Sequence, residues 1–128
     1  MTRKALIADD EPRYRTLLKR VLEKDGYTVK LAECGETATD MLLNGYYDLI
    51  VTDLDMPGLT GFDVIELANR LPRTPPVLLV TAQKTMLNEG WKRLGEVQCL
   101  LKPFSLEDFR AKVGVLTGTW QETATPAN

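Results

Sequence analysis

The chain has 128 residues, 44% hydrophobic and 27% charged, with a formal net charge of −2. That length suits one domain around one core, and the near-neutral balance excludes a basic field able to grip nucleic acid through its phosphates. No apolar run approaches the ~18 residues that span a bilayer, and the absence of histidine removes Ser-His-Asp and Cys-His mechanisms, a His-ligated metal and a phosphohistidine on this chain.

Strand-like and helix-like segments alternate along the chain. Lys4 to Asp9 is a short apolar run ending in acids, and Pro12 follows where a helix would begin. Tyr14, Leu17, Leu18, Val21 and Leu22 recur at helical spacing up to Gly26. Tyr27 to Leu31 is β-branched and alternating, and Ala38, Met41 and Leu42 mark a second helix that closes near Gly45. Tyr47 to Asp53 reads as a third strand ending in an acid, followed by the loop Asp55-Met56-Pro57-Gly58. Phe62, Ile65, Leu67 and Ala68 suggest a third helix, and Pro76 to Thr81 a nearly continuous apolar strand. Met86, Leu87, Trp91 and Leu94 suggest a weaker fourth helix interrupted by Gly90. Val97 to Leu101 is the fifth strand, and Ser105 reads as a cap opening a last helix with Phe109, Val113 and Leu116.

Five βα units imply a parallel sheet covered on both faces. The continuous apolar runs at Leu49–Val51 and Val77–Val80 suit strands buried on both sides. The length favours a flavodoxin-like, doubly wound five-stranded sheet of order 2-1-3-4-5. Residues 1–117 form the expected domain, and 118–128 read as a tail or truncated linker. The start Met1-Thr2-Arg3-Lys4 lacks the apolar stretch of a secretory signal, so a cytoplasmic location without membrane contact is expected. Cys34 and Cys99 are too few for a disulfide scaffold and read as two free thiols.

The crevice of such a sheet opens beyond the carboxyl ends of its strands. The first strand ends at Asp9-Asp10, the third at Asp53, the fourth at Thr81, and the fifth just before Lys102. In the expected order these four strands are neighbours, so the residues converge. Clustered carboxylates raise one another's pKa, and Mg²⁺, which favours carboxylate oxygens and phosphate, relieves that repulsion. One carboxylate can then act as nucleophile toward a phosphoryl group, while Lys102 neutralises charge and the Thr81 hydroxyl donates a hydrogen bond.

Asp9-Asp10, Asp53-Leu54-Asp55-Met56-Pro57 with Gly61, Thr81-Ala82 and Lys102-Pro103-Phe104 resemble the receiver domains of two-component response regulators across residues 3–117. The resemblance implies that Asp53 takes a phosphoryl group from a phosphohistidine on a histidine kinase or histidine phosphotransfer protein. Asp9 and Asp10 would hold Mg²⁺ with Asp53 and the backbone carbonyl of Asp55. Thr81 would swing toward the phosphoryl group, and Lys102 would pair with it. A cis peptide before Pro103 is also implied, as is an output domain or protein reached through the face of the fourth and fifth strands and their helices. A homodimer is compatible with this reading.

Two features depart from the family pattern. The aromatic residue usual three positions before the lysine is here Cys99, too small to report the pocket's state through ring movement. Gly90-Trp91-Lys92-Arg93-Leu94-Gly95 replaces a small, alanine-rich turn, and Trp91 with Met86 is a candidate docking point. Asp55, two residues after Asp53, is expected to affect the lifetime of the phosphoryl group. Two other functions compete. An aspartate-nucleophile phosphatase would use Asp53-Leu54-Asp55, but Pro57 stands where that family wants Thr or Val. A receiver-like interaction module independent of phosphorylation would suit Cys99 and the altered fourth helix, but not the complete acid pocket.

Overall fold

A computed structural model describes residues 2–82 and 97–118. Its elements in chain order are β1 (Arg3–Ala8), α1 (Pro12–Lys24), β2 (Tyr27–Ala32), α2 (Gly35–Leu43), β3 (Leu49–Asp53), α3 (Gly61–Arg70), β4 (Val77–Thr81), β5 (Gln98–Leu101) and α4 (Leu106–Thr117). The expected helix around Met86 and Trp91, and the expected tail after Gly118, lie outside the described residues.

The sheet runs β2-β1-β3-β4-β5 with every pair parallel, the order read from the sequence. Side chains alternate across a strand, so the central strands serve two cores. Ile7, Val51 and Val80 face Leu18, Leu22, Phe109 and Val113 of α1 and α4. Leu6, Ala8 and Ile50 face Ala38, Leu42, Val64 and Ala68 of α2 and α3. All five residues of β3 are buried, which accounts for its unbroken apolar run.

Local chemistry sets the helix ends. Pro12 occupies the first turn of α1, where a missing N–H costs nothing. Thr60 and Asp63 form a reciprocal capping box at α3, and the Ser105 hydroxyl accepts the Asp108 N–H at 3.0 Å to open α4. Gly118 closes α4 with φ of +73°, the left-handed conformation glycine adopts without strain. The Lys102–Pro103 peptide is cis, as expected.

Gly61 has a different purpose from the flexible turn its position suggests. Its φ is not positive. A Cβ there would strike the carbonyl oxygen of Asp53 and come within 2.8 Å of the Leu54 Cα. The start of α3 is therefore pressed against the end of β3, and the Gly61 N–H donates to the Leu54 carbonyl at 2.9 Å.

Candidate functional site

The strand register brings the expected residues to one end of the sheet. Ala8 pairs with Thr52, so Asp9 follows β1 beside Asp53 at the end of β3. Asp53 pairs with Val80, and Thr81 with Leu101, so Thr81 and Lys102 complete the row. The Lys102 N–H donates to the Thr81 carbonyl at 2.8 Å, which continues the ladder one residue past β5.

Asp9 and Asp53 are buried, with side chains 1% and 4% exposed. Asp9 Oδ1 accepts the Glu11 N–H at 2.9 Å, and Asp53 Oδ1 accepts the Asp55 N–H at 3.3 Å. Each buried acid is thus satisfied in part by the backbone two residues on. The remaining oxygens meet one cation. Lys102 Nζ lies 3.0 Å from Asp9 Oδ2, 3.3 Å from Asp53 Oδ2 and 2.9 Å from Glu11 Oε1. The Tyr14 ring closes the ammonium from another side, its centroid 4.0 Å from Nζ.

Burial pushes the Asp53 carboxyl up to about 6, the nearby Asp9 charge adds to that, and Lys102 and the Asp55 N–H oppose it. Burial also raises Asp9, against the Glu11 N–H and Lys102. Burial alone would lower the Lys102 ammonium. Its bonds to Glu11 and Asp9 and the charges of Asp9 and Asp53 outweigh that, and hold it above the ordinary lysine range. The lysine stays charged, while the two buried acids are hard to ionise together.

A cleft of about 280 Å³ opens over this row, lined by Asp10, Glu11, Asp53, Asp55, Ala82 and Lys102. A larger cavity of about 1050 Å³ lies between α1 and α4, walled by residues such as Leu17, Arg20, Asp25 and Leu106. The smaller cleft carries the converging acids and the buried lysine, so the chemistry belongs there. Oxygens from Asp9, Asp10, Glu11 and Asp53 all lie within 4.8 Å of one another. An all-carboxylate donor set of this kind fits a hard divalent cation such as Mg²⁺.

Asp9, Asp10, Asp53, Asp55 and Lys102 are gathered as the sequence suggested. Thr81 is fully buried at the end of β4, and its neighbour Ala82 lines the cleft. Asp9 does not cap α1: the N-cap position belongs to Glu11, whose side chain makes no cap bond. Cys99 is half-buried and packs against the cluster of Leu54, Ile65, Leu79 and Val97. Three contributors were not foreseen. Glu11 and Tyr14 both meet Lys102, and Arg15 Nη1 donates to the Asp9 carbonyl at 2.6 Å. Glu11 directly follows the acid pair and Tyr14 lies one helical turn further on, but neither position reports the contact with Lys102.

Comparison with known proteins agrees with this geometry. Residues 5–114 match the family model of the response regulator receiver domain. The transcriptional regulatory protein ResD of Bacillus subtilis is 34% identical over 94% of this chain and 50% of its own length. CusR of Escherichia coli, also a transcriptional regulatory protein, is 32% identical over 88% of this chain and 50% of its own. The chain thus spans about half the length of these curated relatives. Among solved structures, the response regulator TrrA of Thermotoga maritima, in complex with Mg²⁺ and BeF, is similar with a TM-score of 0.80 and 30% identity, covering 90% of this chain and 99% of that one. Chemotaxis protein CheY4 of Vibrio cholerae gives a TM-score of 0.79 at 26% identity, covering 91% and 99%.

Proposed function

Because the chain belongs to the response regulator receiver family, we propose that Asp53 accepts a phosphoryl group from a phosphohistidine on a separate histidine kinase or histidine phosphotransfer protein. The observation that carries this reading is the row Asp9–Lys102–Asp53: two buried acids and one buried amine under an open cleft. None of the 128 residues is a histidine, so the donor imidazole lies outside them.

An Asp53 carboxylate oxygen attacks phosphorus. The new O–P bond forms as the donor N–P bond breaks, and the electron pair stays on the imidazole nitrogen, which takes up a proton. Lys102 donates to the phosphoryl oxygens and offsets their charge. The Thr81 hydroxyl donates a further bond when it turns into the cleft. Asp9, Asp10 and Asp53, with the Asp55 carbonyl, would hold Mg²⁺, which when bound neutralises charge on the acids and the transferred group. Asp55 is exposed at the cleft mouth and influences how long the phosphoryl group survives.

The result is a switch. Phosphorylation adds up to about two negative charges and three acceptor oxygens. Thr81 and Lys102 regroup, and an output domain or partner with different affinity for the two states reads the change. Residues 1–117 would act as the switch unit and the residues after them as a linker. The names of the curated relatives suggest control of transcription as one output.

The test is Mg²⁺-dependent labelling by a small phosphodonor such as acetyl phosphate. An acid-stable, base-labile phosphate that disappears in Asp53→Asn supports the reading. A second reading, an interaction module that works without phosphorylation, is favoured by Cys99, whose small, half-buried side chain stands where a mobile ring would be the relay. Absence of label on a folded chain that still binds its partner would select it.

A further inference from the structure

Lys102 has no spare hydrogen. Its ammonium carries three N–H groups, and three carboxylates surround it: Glu11 at 2.9 Å, Asp9 at 3.0 Å and Asp53 at 3.3 Å. The Tyr14 ring occupies another side at 4.0 Å. A phosphoryl group on Asp53 brings up to three acceptor oxygens, so Lys102 can pass it the N–H that now faces Asp53 and must release a further partner to give it a second. The other two partners, Asp9 and Glu11, differ in what release costs. The Asp9 side chain is 1% exposed, so water cannot take the place of the ammonium there. The Glu11 side chain is 47% exposed, and water takes the place of the ammonium there.

We propose that Glu11 is a positioning residue that holds Lys102 in a resting place and is the partner released when a phosphoryl group arrives, so that Glu11 sets, through Lys102, how tightly the site holds that group. This deepens the receiver reading above and rests on it. Glu11 competes with the phosphoryl group for the same N–H groups, and the Tyr14 ring limits the directions in which the ammonium can leave. The contact spans 91 residues of sequence, so it is a feature of the folded pocket and not of a local turn.

The measurement is the Kd for beryllofluoride, a phosphoryl mimic, at saturating Mg²⁺, on the full chain. Glu11→Gln is expected to tighten binding about two- to fivefold, the size of a partly exposed ion pair. Glu11→Asp keeps the charge but shortens the reach, and is expected to tighten binding similarly. In a Lys102→Met background, Glu11→Gln is expected to change nothing. Equal tightening by Glu11→Gln with and without Lys102, or no tightening by Glu11→Asp, would mean relief of charge repulsion and overturns the proposal. An unchanged Kd for Glu11→Gln also overturns it. So does weaker Mg²⁺ binding with no gain at saturation, which would make Glu11 a metal ligand. If the unaltered chain binds no beryllofluoride at all, the receiver reading itself fails, and that is visible before any variant is made.

Discussion

Lys102 Nζ stands 3.0 Å from Asp9 Oδ2, and the two side chains are 5% and 1% exposed. A charge pair sealed in this way depends on both members, because removing one strands the other in a poorly solvated place. Asp53, equally buried, leans on the same amine.

Lys102→Met is therefore expected to lower folding stability by about 3 kcal/mol at neutral pH without added metal. The loss should be smaller at pH 5, where protons can neutralise the acids instead. Urea unfolding of both chains in a chelator, at pH 5 and pH 8, measures it. Equal loss at the two values would show that the amine does not neutralise the pocket.

The acceptor itself should titrate near pH 6 in metal-free buffer, well above the 3.8 of an unperturbed aspartate. The sign follows from linkage. Between those values the folded chain binds more protons at Asp53 than the unfolded chain, so the contribution of this group to stability falls as pH rises from about 4 to 6. The fall is of order 2–3 kcal/mol. Comparing the stability of the native chain with Asp53→Asn across this range isolates the group, and the Asp53 carboxyl ¹³C shift reports its midpoint directly. Mg²⁺ should move that midpoint down. A midpoint near 4 without metal would contradict the burial argument.

Gly61→Ala tests the junction of β3 and α3. The added carbon meets the Asp53 carbonyl and the Leu54 Cα, both main chain and unable to yield cheaply. A loss of about 2–3 kcal/mol is expected, with chemical-shift changes at Asp53 itself. A neutral substitution would show that the helix can slide away from the acceptor.

The two thiols should differ sharply. Cys34 lies at the start of α2 with its Sγ 3.2 Å from the Thr37 hydroxyl, and hydrogen bonds from Thr37 lower its pKa. Burial pushes the Cys99 thiol up to about 11. Iodoacetamide at pH 8 is expected to modify Cys34 at least ~10-fold faster, since the thiolate is the reactive form. Peptide mapping over a time course measures the ratio.

Much of this site was legible in the chain because the fold is built from repeats of one simple unit. A parallel sheet buries its central strands on both faces, and Leu49–Val51 and Val77–Val80 carry that mark openly. Once the strand order is known, the residue after each strand has an address, and Asp9, Asp53, Thr81 and Lys102 fall together by register alone. Glu11 and Tyr14 escaped because their importance depends on where a long side chain ends. The Lys102 side chain crosses from the β5 side of the row to the start of α1, and nothing in residues 9–14 announces that it will arrive. The need for Gly61 was not legible, because a close approach of two backbones looks the same in sequence as a turn.

The span of the Lys102 contacts also bears on when the site comes into being. Asp9 and Glu11 lie 93 and 91 residues before the amine that joins them. During synthesis the chain emerges N-terminal end first, so every acid of the pocket is exposed to the cell before its amine has been made. Until β5 and the residue after it have docked, the buried acids lack the amine that offsets their repulsion. Lys102 works as a late clasp between the first and last βα units. It ties closure of the charged pocket to arrival of nearly the whole domain.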